Sequence, residues 1–483
     1  MWRFVKDFLI YGIAPILGKI AAIFLIPIYT SILTTEEYGA MALITSCKGV
    51  LDLISNLNIH SGIARDYYEV SDSNRKTLVS TGLFSIIGIS SFVCIAAVCS
   101  RTFWCETVLG MEPVYLLAFT LMLLSVPTGS LSSYLSIMTR FQKKPVLYTI
   151  ASFIQLVVQI SLSIYLVVFA RVGVVGVFVG VLVGEVFTVT YLLFINRGLI
   201  GLKFDTKYLK RALVFALPTL PAILAGWVDS SLGQIIVGRN ISKADLGVYS
   251  IALSIASVFT LVSTAFQNVW SPYLYENYKK ESFNRDIKRL FSVFVIVLLF
   301  ISVSLSLFSK EVILLLTNPD YIEATKYITL LCIPMSIYML FPIATSGVSI
   351  SRDTKYTGIS YIMGSIINVV MLFCTIGYLG VVAVPLCLGL SRIVTYTTLY
   401  KISEKKINYK VPNVLLVVFV LIVGLCYLIQ IFDLKVYYRI AIVLLAYGIM
   451  FIYLNSIVGI RQIATKVEFV LKSNKSKKHY SSS

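Results

Sequence analysis

The sequence predicts an all-α integral membrane protein with about 14 transmembrane helices, and three observations predict it. Hydrophobic residues make up 58% of the 483 positions and charged residues only 13%, about half the charge content of a soluble chain. Apolar runs of membrane-spanning length recur from near the first residue to about Val458. Lysine and arginine fall in alternate connections between those runs, as the positive-inside rule requires of a multi-pass protein.

The expected spans are 8–33, 38–63, 78–100, 114–138, 146–170, 173–195, 212–237, 245–270, 290–309, 325–349, 357–377, 380–400, 412–431 and 437–459. The first is too long for the core of a secretion signal. No connection is long enough to fold as a separate domain. With the N-terminus placed in the cytoplasm, the cytoplasmic connections collect roughly three-quarters of the 41 lysines and arginines. They include Arg65, Arg140, Lys143, Lys144, Lys279, Lys280, Lys405 and Lys406. One miscounted span would invert every later loop and erase this bias, so both termini are expected in the cytoplasm. The net charge of +18 is then mainly a topology signal and not a nucleic-acid surface.

The chain repeats itself. Thr35-Glu36-Glu37-Tyr38-Gly39 follows the first span, and Lys243-Ala244-Asp245-Leu246-Gly247-Val248-Tyr249 follows the seventh, with the glycines 208 positions apart. Arg140 closes the fourth span and Arg352 the tenth, 212 positions apart. Prolines are paired as well: Pro15 and Pro27 against Pro218 and Pro221, Pro127 against Pro334 and Pro342. Duplication of a six-helix unit follows. An even number of spans gives both copies the same orientation, around an axis along the membrane normal, and paired helix interruptions are a mark of alternating-access transport. The expected units are residues 1–200, 201–405, two further C-terminal spans in 406–460, and a basic cytoplasmic tail at 461–483.

Ionisable groups within apolar spans cost about 2.5–3.5 kcal/mol each and need a reason. Lys19 lies about 16 Å along the first helix from its start, too deep to snorkel, so it is expected to face a wet cavity or an acidic partner. Lys48 and Asp52 share a helix face at i, i+4 and are able to neutralise each other. Glu185 and Asp229 lie near mid-depth, and Arg392 is placed to snorkel partly toward Lys401. The second span is rich in polar residues (Thr45, Ser46, Lys48, Asp52, Ser55, Asn56, Asn58, His60, Ser61, Arg65) and so is the eighth (Ser254, Ser257, Thr260, Ser263, Thr264, Gln267, Asn268). These two spans are equivalent in the repeat and are expected to line a cavity between the halves. Lysines at depth suit a phosphate-bearing cargo and disfavour a cationic one.

Enzyme chemistry is not written here. The eight cysteines form no CxxC pair and only two histidines occur, so a metal site is not expected. Neither a DxD motif nor a long outer loop suggests a polysaccharide polymerase or glycosyltransferase, and no cofactor is implied.

The order of several local motifs resembles the polysaccharide flippases of the multidrug/oligosaccharidyl-lipid/polysaccharide exporter superfamily, the O-antigen (Wzx-type) flippases in particular. They are Pro27-Ile28-Tyr29-Thr30 with Glu37-Tyr38-Gly39, Ala64-Arg65-Asp66-Tyr67-Tyr68, Leu246-Gly247-Val248-Tyr249-Ser250, and Ala265-Phe266-Gln267-Asn268-Val269-Trp270-Ser271-Pro272. The resemblance implies two six-helix lobes in a V and a bacterial cytoplasmic (inner) membrane. It also implies an oligosaccharide cargo on undecaprenyl pyrophosphate, for O-antigen, capsule or exopolysaccharide. Membrane lipids, and a polysaccharide polymerase with chain-length proteins, are the implied partners, and nucleic acid is not. Lys19, Lys48 and Arg65 are the implied cargo-binding cations. Asp52, Glu185 and Asp229 are the acidic groups for ion coupling or charge pairing. A lipid II flippase and a multidrug exporter of the same superfamily remain the alternatives.

Overall fold

The computed structural model describes the backbone of residues 2–458, apart from 352, 354 and 433, and side chains from residue 16, apart from 72, 73, 265, 268 and 456–458. The expected basic tail at 461–483 and the side chain of Pro15 lie outside what is so described. Every regular element among the described residues is helical.

The first half contains α1 (Trp2–Thr30), α2 (Thr35–Asn56), α3 (Ile59–Asp66), α4 (Asp72–Cys99), α5 (Leu116–Phe141), α6 (Pro145–Ile164) and α7 (Val174–Asn196). The second contains α8 (Thr206–Ala216), α9 (Leu220–Trp227), α10 (Gly233–Asn240), α11 (Lys243–Ala256), α12 (Val258–Asn277) and α13 (Phe283–Leu307). It continues with α14 (Ser309–Leu316), α15 (Ala324–Met339), α16 (Phe341–Ala344), α17 (Ser346–Ile350), α18 (Lys355–Leu379) and α19 (Ala383–Ile407). Two last helices, α20 (Val414–Ile431) and α21 (Val436–Val458), follow. Among the described residues, eleven stretches are long and apolar enough to cross a bilayer, and α2 with α3 makes a twelfth across a 43° bend. One of the eleven, 355–407, consists of α18 and α19, joined by the short turn Gly380–Val382 and packed against each other.

Local chemistry sets the helix ends. Thr34 caps α2: its hydroxyl accepts from the Glu37 N–H, and the Glu37 carboxylate accepts from the Thr34 N–H at 2.9 Å, a reciprocal capping box. The second span was expected to be one helix over 38–63. It breaks instead at Leu57 and Asn58, both left-handed at φ 43° and 53°. Asparagine tolerates that region, whereas leucine pays about 1–2 kcal/mol for it. The break is held by side chains: Ser61 donates to Asn58 Oδ1 at 2.7 Å, and Asn58 Nδ2 donates to Thr219 Oγ1 at 2.8 Å.

Proline acts unevenly. Pro127 is carried inside α5 without interruption, whereas Pro218 sits in the 3₁₀ turn between α8 and α9. The expected span 212–237 is therefore a broken rod over 206–240, further interrupted by a π-helical segment Val228–Leu232.

Three apolar cores hold the bundle. One joins the halves where α2 and α11 begin, with Tyr38, Leu43 and Ile44 packed among Leu246, Tyr249, Tyr321 and Tyr327. At the opposite end the cores are separate. Ile59, Ile63, Tyr134 and Leu135 form one with Ala212 of α8. Phe259, Trp270, Phe291, Phe341 and Tyr409 form the other, extended by Phe419 and Val423 of α20. The C-terminal pair thus docks on the second half. Phe300 stacks on Tyr447 at 3.9 Å, and Gln430 bridges Thr329 and Ser309 at 2.9 and 2.6 Å. The other face of α20 exposes Val414, Val417, Leu421, Leu425 and Leu428, a lipid-facing stripe at helical spacing.

The closest approach joins repeat-equivalent residues. A Cβ added to Gly39 would lie 1.8 Å from the Lys243 carbonyl oxygen, and one added to Gly247 would lie 2.0 Å from the Thr35 carbonyl oxygen. Thr35 and Lys243 are themselves 208 positions apart, as are the glycines. The contact is therefore reciprocal, like that across a two-fold axis. Without apolar solvation to drive helices together in lipid, small residues that let backbones touch carry such crossings.

Candidate functional site: a charged seam and a cavity in each half

The sequence-predicted charges fall into separate groups. Lys48 Nζ lies 3.5 Å from Asp52 and 3.4 Å from Glu185 and donates to the Ser125 carbonyl at 3.3 Å. Thr128 adds a hydroxyl to Glu185 at 2.8 Å. Gly129 makes room for this, since a Cβ there would stand 3.0 Å from the Lys48 ammonium and 3.1 Å from the Glu185 carboxylate. One cation thus faces two carboxylates. The i, i+4 spacing pointed to Asp52, but bringing in Glu185 from α7 required the packing of α2, α5 and α7.

Asp229 sits in the π segment and accepts from Asn368 Nδ2 at 3.1 Å. Arg392 was expected to snorkel, but its side chain is buried. It donates to the Pro334 carbonyl at 2.8 Å, and its guanidinium lies 4.8 Å from the centre of the Tyr338 ring. The guanidinium thus finds a main-chain acceptor and an aromatic face inside the bundle. Sequence reasoning had given Asn368 no role.

Arg65 lies near the opposite end, half exposed, 3.2 Å from Asp66 and 5.0 Å from the Phe215 ring. Arg211 grips the other Asp66 oxygen at 3.3 Å, which ties α8 to α3. Lys19 is exposed and has no hydrogen-bond or ion-pair partner among the described residues. The structure does not bring Lys19, Lys48 and Arg65 into one cluster.

At the glycine crossing, Lys243 is 91% shielded and reaches Glu112 at 2.7 Å and Glu36 at 3.4 Å. Arg239 donates to the Val108 carbonyl at 2.7 Å, and Asn318 donates to the Thr30 carbonyl at 2.7 Å. The sequence marks Lys243 as part of the repeat and assigns its charge no role. Its place in the repeated Tyr38-Gly39 and Leu246-Gly247 motifs was the available signal. Farther out, Arg439 forms a two-pronged bond to Glu311 at 2.6 and 3.0 Å. Near the opposite end, Asp353 pairs with Lys406, whose ammonium holds its carboxyl below the usual carboxylate range.

Two cavities flank the seam at related places in the repeat. The smaller, about 410 Å³, is walled by His60, Ser61, Ala64 and Tyr68 of the second span with Ile137 and Arg140 of α5. The larger, about 830 Å³, is walled by Gln267, Trp270, Ser271 and Tyr275 of α12, with residues of α9, α15 to α18 and their connections. Polar residues of the second and eighth spans do line cavities, each within its own half.

This architecture matches known transporters. The chain superposes on the lipid II flippase MurJ in its inward closed conformation with TM-score 0.72, covering 93% of this chain and 99% of that one at 14% identity. An inward-facing multidrug resistance MATE transporter matches with TM-score 0.64 over 81% and 94% of the two chains, also at 14% identity. At these identities the likeness is one of fold. A Haemophilus influenzae protein known only as an uncharacterized membrane protein is 20% identical over 411 residues, 83% of this chain and 97% of that one. The chain shares the multi-pass helical fold of these transporters. Residues 28–324 match the polysaccharide biosynthesis protein family, and the chain belongs to that family.

Proposed function

We propose that this protein is a flippase. It carries undecaprenyl-pyrophosphate-linked oligosaccharide repeat units, for O-antigen, capsule or exopolysaccharide, from the cytoplasmic to the outer face of a bacterial cytoplasmic membrane. The observation that carries this reading is the membership in a polysaccharide-biosynthesis family of a chain that holds Lys48 between Asp52 and Glu185 within its helices. Intramembrane charge marks a transport path by default.

The geometry supports alternating access. With both termini in the cytoplasm, the reciprocal glycine crossing seals the outer end, and toward the cytoplasm the cores separate into the two arms of a V, with α8 packed on α3 of the first half. Substrate enters from that side, and rocking about the seam exposes it outside. Lys19 and Arg65 then offer charge to pyrophosphate directly. Lys48 is held by Asp52 and Glu185 and becomes available only when those carboxylates take up a proton or another cation, which would couple release to an ion. A polymerase, chain-length proteins and membrane lipids are the proposed partners.

The test is genetic and chemical. Deleting the gene should trap lipid-linked saccharide on the cytoplasmic face and abolish the surface polymer. Complementation by Lys19→Ala at normal protein level should restore little export. Lipid-linked units that reach the outer face unpolymerised would refute the flippase reading and indicate a polymerase.

A further inference from the structure

The two cavities occupy equivalent places in the repeat but differ in chemistry. The smaller is walled by His60 and Arg140. In the larger, Lys355 is the one charged residue among the described residues of the wall, which five aromatic side chains share with serine and threonine hydroxyls. From this difference we infer that the larger cavity is a saccharide-binding site, which holds the sugar rings of the cargo while its charged group is held elsewhere. The inference rests on the flippase reading for the identity of the cargo, and on the cavity itself for the chemistry.

Three features carry it. The volume of about 830 Å³ lies in the range of ligand-binding cavities, about 300–1,000 Å³, with space for several sugar rings. The aromatic wall is rigid. Phe341 packs against Tyr338 at 5.2 Å and Tyr361 at 5.6 Å, Tyr338 is fixed from behind by Arg392, and Trp270 donates to the Pro342 carbonyl at 3.0 Å. Ring faces carry negative charge density and suit the C–H-bearing faces of a pyranose. Finally, the hydroxyls of Ser271, Ser349 and Thr357 line this space and have no hydrogen-bond partner among the described residues.

The hydroxyls decide between occupants. A prenyl chain in this cavity would strip water from three hydroxyls and return nothing, and an unpaired buried hydroxyl is costly. A saccharide offers each of them a donor and an acceptor while stacking on the rings. The ring-plus-hydroxyl wall thus selects sugar over lipid tail. The lack of any carboxylate among its described residues also disfavours an organic cation.

The experiment uses the full-length protein in lipid nanodiscs and follows Trp270 fluorescence. One probe is the lipid-free repeat-unit oligosaccharide, released by partial hydrolysis of the surface polysaccharide of the strain that encodes the chain. Inorganic pyrophosphate and farnesol are the others. The oligosaccharide should bind saturably. Tyr275→Ala and Ser271→Ala should each weaken it about ten-fold, and Tyr275→Phe less than three-fold, with pyrophosphate binding unchanged. Oligosaccharide binding indifferent to Tyr275→Ala and Ser271→Ala would overturn the assignment, as would farnesol competing for the same site. The outcomes separate the two readings. If the deletion strain traps lipid-linked saccharide but these variants bind oligosaccharide normally, the site falls and the flippase reading stands. If the strain traps none but the variants lose oligosaccharide binding, the site stands and that reading falls.

Discussion

Replacing Gly39 by alanine tests the glycine crossing. The added Cβ would lie 1.8 Å from the Lys243 carbonyl oxygen, against 3.4 Å for ordinary contact, so the two backbones must part by about 1.6 Å. Both neighbours are main chain, so no rotamer relieves the clash. Overpacking of this kind costs about 1–3 kcal/mol. Charged only to the state in which the crossing is closed, that is a shift of about 5- to 150-fold in the ratio of closed to open molecules. Hydrogen–deuterium exchange of the segments 33–45 and 240–252 reads this population without any label. Exchange in both should accelerate in Gly39→Ala, while segments in α20 stay unchanged. Gly247→Ala should act alike, because its Cβ would meet the Thr35 carbonyl at 2.0 Å. The double variant should cost less than the sum, since both substitutions open one contact. Gly18→Ala, with nothing within 4 Å of the new Cβ, is the control. Exchange in the two segments that matches wild type in folded Gly39→Ala would refute the crossing as a closed gate.

Lys48→Met leaves Glu185, almost wholly buried, beside Asp52 without a cation, and should destabilise the protein by about 3–5 kcal/mol in thermal unfolding. Lys48→Met with Glu185→Gln should recover most of that loss. Lys243→Met removes the ammonium between Glu36 and Glu112, both about half exposed; a cost of about 1 kcal/mol should appear as faster exchange in 240–252. Asp353 has a folded pKa below its unfolded value, so its pairing with Lys406 contributes above the unfolded value, near pH 4, and is lost as pH falls through the folded one. The melting difference between wild type and Asp353→Asn should be constant from pH 7 to about 5 and vanish in stronger acid.

Much of this was legible in the chain alone. Hydropathy and alternating charge determine a helical multi-pass protein, because a bilayer leaves unpaired backbone no other refuge. The 208-residue offset determines which residues are equivalent, and Gly39 and Gly247 prove to be partners in space as well as in sequence. Spacing along one helix could pair Lys48 with Asp52, since i and i+4 share a face. Only tertiary packing could add Glu185, which lies 133 residues further on, or turn Arg392 inward to the Pro334 carbonyl and the Tyr338 ring. The break at Leu57 and Asn58 was also invisible, because no proline marks it and its cost is met by a bond to Thr219 in the other half. Nor could sequence tell that the polar faces of the second and eighth spans would line two cavities of unlike chemistry. Periodicity reports which side of a helix avoids lipid; what that side meets is set by helices far away in the chain, and only the assembled bundle decides it.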